Sequence, residues 1–366
     1  MKQDAVYAQR LKKLREGLEE KGLRGAMVVP GPNMRYLTGV NSLMLERPFM
    51  LMVPVEGEPH LVAPALEAGP YQGCPLPMKI HSWTDSEGPA GSVAKAVKGV
   101  EMKGKWGVEG KVPFLFLDRV MKRASPRLRN AEPILQGLRE VKDQAEVGLL
   151  ERSARILSRS FGEFPGLIRE GMTELDLAKA ATDTIYTNGA TKVDDMLVQS
   201  GPRAADPHGL PTSRKIGRGE SIIIDVGSVY EGYYADITRT FCLGPSREVE
   251  RVYEKVLLAE RSGVESAVVG ARVGDVDGAA RRVLEKAGMG KYFIHRTGHG
   301  LGLEVHEAPY IVEGGKKKLG PNMCFTVEPG VYIRGKRGVR IEDDVLMGPR
   351  KGKATTDTPK DFGWWK

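Results

Sequence analysis

Two apolar strands in this chain are each interrupted by a carboxylate. Ser221-Ile222-Ile223-Ile224-Asp225-Val226-Gly227 carries Asp225 inside a branched aliphatic run, and Gly232-Tyr233-Tyr234-Ala235-Asp236-Ile237-Thr238-Arg239-Thr240-Phe241 carries Asp236. Burying an unpartnered ion costs several kcal/mol, so each acid needs a reason to be there. A hairpin folded about positions 230 and 231, with Glu231-Gly232 in its turn, sets Asp225 directly opposite Asp236, with Cβ atoms roughly 4.5–5.5 Å apart. Carboxylates that close repel unless a proton or a cation lies between them. The arrangement recurs in Phe325-Thr326-Val327-Glu328-Pro329-Gly330 and Gly338-Val339-Arg340-Ile341-Glu342-Asp343, where a turn centred on Gly335 puts Glu328 opposite Glu342. One acid pair is as readily a structural ion pair as a site; two in one chain argue for bound cations.

His299 adds a nitrogen donor. It lies in Thr297-Gly298-His299-Gly300-Leu301-Gly302, where the glycines let backbone approach a ligand closely. No strand–helix context makes this run a dinucleotide fingerprint, and no organic cofactor site is expected. Four carboxylates with one imidazole form a hard, oxygen-rich set suited to two divalent ions, manganese or cobalt first and zinc as the alternative. Four negative charges balance two dications and leave a bridging hydroxide as the third party. Ions about 3.5–4 Å apart acidify such a water and polarise a carbonyl. His208, in Asp206-Pro207-His208-Gly209, and His306, in Glu304-Val305-His306-Glu307-Ala308-Pro309, read on their own as structural or surface histidines. His295 reads the same way.

The positioning elements follow from periodicity. Tyr7, Leu11, Leu14 and Leu18 mark an amphipathic helix over 4–22, ended by Gly22 and Gly25. Short apolar strands follow at 26–29 and 49–53. The first 130 residues thus alternate helix and strand as a layered α/β domain with no cluster of chemical side chains. From Glu140 to about Phe161 the pattern predicts one long helix with Val141, Ala145, Leu149, Leu150 and Ala154 on its apolar face. A helix over 173–187 opens at Thr173 as N-cap. Residues 250–266 and 274–288 also read as helices, with strands between and after, so the second domain is α+β. The expected domains are 1–135 and 138–352, followed by a C-terminal tail, 353–366, whose two tryptophans dock on the body or on a partner subunit.

Bulk properties exclude several classes. The 366 residues are 41% hydrophobic and 28% charged, enough for two globular cores. The net charge of +8 is spread over faces where bases and acids alternate, so nucleic acid is not an expected partner. Cys74, Cys242 and Cys324 form neither a disulfide framework nor a zinc-finger pattern. The absence of a signal-type segment and of any run long enough to span a bilayer points to a cytoplasmic protein without a membrane partner.

The five donors and the strings around them resemble a known family. Asp225, Asp236, His299, Glu328 and Glu342 are similar to the metal ligands of the methionine aminopeptidase–prolidase–aminopeptidase P family, the pita-bread metallopeptidases. So are Gly298-His299-Gly300-Leu301-Gly302, Val305-His306-Glu307, Val327-Glu328-Pro329-Gly330 and Val339-Arg340-Ile341-Glu342-Asp343. The match covers most of 138–350. Tyr36-Leu37-Thr38-Gly39 and Glu46-Arg47-Pro48 look like the family's creatinase-type N-terminal domain, which points to the proline-specific branch.

The resemblance implies hydrolysis of the bond before proline in small peptides, by a homodimer. It also implies that Asp225 serves one ion, Asp236 and Glu342 bridge both, and His299 with Glu328 serve the other. Glu328 would be the proton shuttle. His306 would donate to the scissile peptide, and His208 would line the substrate site and steady the tetrahedral intermediate. Arg340 and Thr238 look like supports that orient the carboxylates. Some dipeptidases of the family carry a basic residue where Tyr310 stands here, so the choice between dipeptidase and aminopeptidase stays open. Two further readings keep the fold: a creatinase-like hydrolase of a small non-peptide amide, and a non-catalytic peptide-binding module. Members of both kinds tend to lose metal ligands, and this chain keeps all five.

Overall fold

The computed structural model describes residues 2–365; Met1 and Lys366, at the ends of the expected first and last segments, lie outside them. The chain divides into two compact units between Arg139 and Glu140.

In the first unit, helix α1 (Lys2–Glu20) buries Leu14 and Leu18 and stops where Gly22 takes φ 62°. Strands β1 (Gly25–Val28), β2 (Met50–Pro54), β3 (His60–Pro64), β4 (Lys79–Trp83), β5 (Lys105–Val108) and β6 (Arg127–Asn130) form one mixed sheet in the order β4-β3-β2-β1-β5-β6. Helices α2 (Pro32–Thr38), α3 (Ala90–Gly99), α4 (Phe114–Met121) and α5 (Glu132–Glu140) complete it. Val93, Ala96 and Val97 of α3 and Phe116 and Val120 of α4 pack on Met27, Met50, Val62 and Trp106 of the sheet. This is the layered α/β arrangement that alternating helix and strand predicts.

The second unit opens with α6 (Gln144–Glu163) and α7 (Glu174–Thr187), followed by strands β7 (Lys192–Ser200), β8 (Ser221–Tyr230) and β9 (Tyr233–Cys242). Next come α8 (Arg247–Ser266) and α9 (Val273–Lys286). Strands β10 (Gly298–Gly300), β11 (Glu307–Ile311), β12 (Cys324–Val327), β13 (Gly330–Ile333), β14 (Arg337–Arg340), β15 (Asp343–Met347) and β16 (Gly352–Ala354) end it. The sheets run β7-β8-β9, β11-β10-β12-β15-β16 and β13-β14. Thr173 caps α7 by accepting from the Asp176 N–H, while the Asp176 carboxylate accepts from the Thr173 N–H.

The long helix expected from Glu140 is interrupted. Asp143 accepts from the N–H groups of Ala145 and Glu146, and the Glu146 carboxylate accepts from Asp143 N, each at 2.9 Å. This capping box starts α6 at Gln144 and leaves Val141 as a bridge to Met323, half exposed. Leu150 and Ala154 of the expected face are buried, joined by Leu157 and Phe161, while Ala145 is exposed. An aspartate before a helical run competes for backbone donors, and here that local chemistry outweighs the apolar periodicity.

The two hairpins differ in how well their registers were foreseen. Glu231 and Gly232 both take positive φ, 48° and 87°, so the first turn holds two residues and pairs Tyr230 with Tyr233. Asp225 therefore faces Thr238, and Asp236 faces Gly227, two residues away from the expected direct pairing. Even spacing keeps both acids on one face of the sheet. The second hairpin turns at Gly335, φ 70°, as expected. The β13–β14 and β12–β15 ladders share one register, Gly330↔Arg340 and Val327↔Asp343, which sets Glu328 across from Glu342.

Residues past β16 fold back onto their own unit. Thr356 Oγ1 donates to Asp343 Oδ1 at 2.7 Å, and Lys360 Nζ reaches Glu260 and Asp343 at 2.7 and 2.5 Å. Trp365 Nε1 donates to the Cys242 carbonyl, and both tail tryptophans pack on Phe241. Among the described residues no helix is long and apolar enough to cross a membrane.

The glycines beside His299 have a different reason from the one expected. A Cβ on Gly298 would lie 1.9 Å from the Thr326 carbonyl oxygen, and one on Gly300 would lie 2.3 Å from that of Ala308. They admit the neighbouring strands' backbones, not a ligand. Gly298→Ala is expected to cost about 3 kcal/mol or more. Gly137→Ala, in α5 with nothing within 4 Å of the added methyl, should stabilise by about 0.5–1 kcal/mol. Urea denaturation of both variants measures this; a Gly298→Ala midpoint equal to the parent's would contradict the packing account.

Candidate metal centre

Each of the five expected donors comes from a strand or a strand end of the second unit. Asp225 and Asp236 project from β8 and β9, His299 from β10, and Glu328 and Glu342 from the junctions between the two collinear ladders. All five line one cavity of about 640 Å³ together with His208, His295, Arg296, His306, Arg340 and an apolar wall that includes Leu197, Leu210 and Val305. Asp236, His299 and Glu342 are buried, and one donor atom from each lies within 4.8 Å of the others. Glu328 Oε1 stands 3.3 Å from His299 Nε2. Asp225 is turned partly away, with its Oδ2 on Arg340.

Arg340 organises the acids. Besides Asp225 it donates from Nε to Thr238 Oγ1 at 3.1 Å and from Nη1 to the Tyr332 hydroxyl at 2.8 Å. Thr238 in turn donates to Glu342 Oε2 at 2.6 Å. Tyr332 lies 2.9 Å from His295 Nε2, while His295 Nδ1 lies 2.7 Å from the Arg296 carbonyl. A carbonyl only accepts, so Nδ1 carries the proton and Nε2 accepts from Tyr332, completing a relay from Arg340. Reading single histidines as bystanders missed His295, and Tyr332 was not singled out at all. The available signal was adjacency: His295-Arg296 directly precedes the Thr297-Gly298-His299 run.

The electrostatics show what the cluster lacks. Burial, then Asp225, Asp344 and Glu328, push Asp236 well above the ordinary carboxylate range. Burial, then Asp236, Glu328 and Asp225, do the same to Glu342. Burial also raises Asp225 despite Arg340. Burial works against the charge on Glu328 too, but the hydrogen bond and charge of His299 hold that group down at about 2. Four carboxylates thus face one committed guanidinium, and the excess negative charge is relieved by protons or by cations. Burial, with the charges of His299 and Arg296, lowers His306 to about 4, so its ring is neutral near pH 7. His208 is an exposed loop residue at the cavity rim, its backbone N–H on Asp206 Oδ1 at 3.3 Å.

Residues 148–349 match the model of metallopeptidase family M24, and residues 10–141 match that of the creatinase/prolidase N-terminal domain. The chain belongs to metallopeptidase family M24. This M24 peptidase is 35% identical to a protein described as a probable dipeptidase PepE from Mycobacterium tuberculosis, over 98% of this chain and 96% of that one. It is 30% identical to the Xaa-Pro dipeptidase of Pyrococcus horikoshii, over 98% and 99%. Among solved structures it is similar to a recombinant prolidase from Thermococcus sibiricus, at TM-score 0.92 and 39% identity over 97% of this chain and 98% of that one. The creatinase-type plus pita-bread architecture expected from the sequence is therefore the one present, and the protein is a hydrolase of the metallopeptidase class.

M24 membership implies divalent cations, and the donor set fits them: oxygen-rich, buried, over-supplied with negative charge and completed by one imidazole. In the metal-free M24 peptidase the raised Asp236 and Glu342 keep protons that the unfolded chain, with carboxyl pKa values near 4, gives up. Their contribution to stability is full below about pH 4 and is lost as pH rises through the raised values. Metal-free protein should therefore lose stability as pH rises above about 4, the ordinary carboxylate range, and added manganese should restore it. Uptake should release protons. Calorimetry in buffers of different ionisation enthalpy tests this, and a binding heat independent of the buffer would rule out protonated Asp236 and Glu342.

Proposed function

We propose that this M24 peptidase hydrolyses the peptide bond preceding proline, in dipeptides or at the N-terminus of short peptides, with two divalent ions held by Asp225, Asp236, His299, Glu328 and Glu342. The supporting observation is the convergence of five such donors, with His208 and His306, on one cavity with an apolar wall. Relatives described as Xaa-Pro dipeptidase and prolidase, matching over nearly the whole chain, favour proline as the residue after the cleaved bond.

Asp236 and Glu342 are suited to be shared between ions, because each is buried against the other acids. Asp225 would serve one ion, and His299 with Glu328 the other. When bound, two such ions lower the pKa of water and polarise a carbonyl. Manganese or cobalt suits these donors best, with zinc possible.

The chain's own groups supply the remaining steps. Glu328, beside His299 in the same cavity, would take a proton from the attacking water and hand it to the leaving proline nitrogen. That nitrogen carries no hydrogen in an Xaa-Pro bond, so it must be protonated to leave. His306 is neutral and keeps an N–H to donate to the scissile peptide; its ring meets that of His299 edge to face, with centroids 4.1 Å apart. His208, which lines the cavity, would steady the negative oxygen of the tetrahedral intermediate. Leu197, Leu210 and Val305 offer apolar surface for the proline ring. A homodimer in the cytoplasm remains part of this reading.

With manganese or cobalt added, the protein should release alanine together with proline from Ala-Pro, alanine together with Pro-Ala from Ala-Pro-Ala, or both. His306→Ala should lower kcat by about 10²- to 10³-fold. Glu328→Gln should lower it by about 10²- to 10⁴-fold. Activity on the dipeptide alone would mark a dipeptidase, and activity on the longer peptide alone an aminopeptidase. Elemental analysis that finds metal bound, with both peptides left intact, would defeat the proposal.

A further inference from the structure

Resting on the Xaa-Pro reading, we infer that Glu174 is a positioning residue: its buried carboxylate ties together both ends of the segment that carries His208, and so holds that histidine at the metal cavity.

Glu174 is the first residue of α7, directly after the Thr173 cap. A glutamate in a first helical turn commonly sits in solvent, where its charge favours the helix N-terminus. This one is 0% exposed, and it does not line the cavity. A buried carboxylate is tolerated when donors satisfy its oxygens. Here the donors come from the end of β7 and the segment after it. Oε1 accepts from the Ser200 N–H at 2.8 Å and from the Ser200 hydroxyl at 2.9 Å. Oε2 accepts from the Thr212 N–H at 3.1 Å, from the Thr212 hydroxyl at 2.7 Å and from Arg203 Nε at 3.2 Å. The chain that leaves β7 at Ser200 therefore returns at Thr212 to the same side chain. The Leu175 N–H donates to the Thr212 carbonyl at 3.1 Å, which fastens the return to the helix as well.

Between these ends lie Pro207, His208 and Leu210, all of them at the cavity wall. The His208 side chain is exposed, so the backbone that carries it sets where it stands. Both of its neighbours are held. Gln199 Nε2 donates to the Gly209 carbonyl at 2.6 Å, and Arg340 Nη1 donates to the Pro207 carbonyl at 3.3 Å. Arg203, bound to Glu174 through Nε, donates from Nη2 to the Leu210 carbonyl at 2.7 Å, so the carboxylate also reaches the middle of the segment. A loop whose ends share one anchor keeps its shape; releasing an end lets it move. A displacement of about 1 Å in a group that meets the reacting atoms can cost on the order of 10²-fold in rate. Glu174→Gln replaces one oxygen by an NH2 group, which then meets the Ser200 or the Thr212 N–H donor to donor. Whichever way the amide turns, one end of the segment is released.

The test uses the full-length, manganese-loaded enzyme and whichever of Ala-Pro and Ala-Pro-Ala the parent cleaves, with metal content and melting temperature measured for every variant. It compares kcat, because Leu210 moves with the same segment and its displacement acts on KM. His208→Ala should lower kcat by about 10²-fold. Glu174→Gln should lower it by about 10- to 100-fold with metal content unchanged. Thr212→Val, which removes one hydroxyl bond to Glu174, should lower it by about 3- to 10-fold. In the His208→Ala background both losses should shrink to within about twofold, because the group they displace is gone. If Glu174→Gln does not fold, Thr212→Val decides by the same comparison. Losses of equal size in both backgrounds would mean a general structural role and overturn the inference. A kcat loss matched by lost metal would place the effect at the donors, which overturns it as well. Parental kcat in both Glu174→Gln and Thr212→Val, with His208→Ala impaired, would do the same. Parental kcat in His208→Ala sinks this inference and leaves the Xaa-Pro reading standing. If the metal-loaded parent cleaves neither peptide, that reading falls and this one falls with it.

Discussion

Everything in the second unit is arranged around four carboxylates that apolar strands carry into the interior. Such groups are tolerated only when each has a partner and the sum of charge is relieved. Arg340 does the first part of this work. From one buried position it reaches Asp225, reaches Glu342 through Thr238, and reaches His295 through Tyr332. A single guanidinium cannot balance four acids, and the remaining negative charge suits the cavity to cations. The supports and the shortage of positive charge belong to one design: the protein fixes the donors and leaves their charge unmet.

The acids keep their places because the backbone around them is tightly determined. Gly298 and Gly300 let β10 lie against β12 and β11 at distances no side chain would permit. Gly338 does the same where a Cβ would meet the Ala204 carbonyl oxygen at 1.6 Å. Behind the site, Asp343 ties Arg239, Thr356 and Lys360 together, one residue from Glu342. The last turn of the chain thus braces the strand end that bears a candidate ligand.

Catalytic class and substrate choice rest on different parts of this unit. The donors sit on rigid strands and strand junctions, where geometry is held to within small displacements. His208, Leu210 and Arg296 lie in connecting segments at the cavity wall, which can change without disturbing the donors. This division explains why family membership settles the hydrolytic chemistry while selectivity has to be argued from the wall.

The sequence by itself determined the two-part architecture, the hairpin that faces Glu328 with Glu342, and five side chains that line one cavity. Strand periodicity and acids in apolar runs are local signals, and a turn centred on Gly335 leaves only one register. Other features were decided only in three dimensions. The first hairpin's register turned on whether Glu231 would accept positive φ, a small energy that pattern cannot weigh. The break before α6 depended on Asp143 capturing two backbone N–H groups. Single residues such as His295 and Tyr332 carry no periodic signature, and their meaning comes from neighbours far along the chain. A lone histidine or arginine looks the same in a sequence wherever it ends up; only packing shows whether its nitrogens are already occupied.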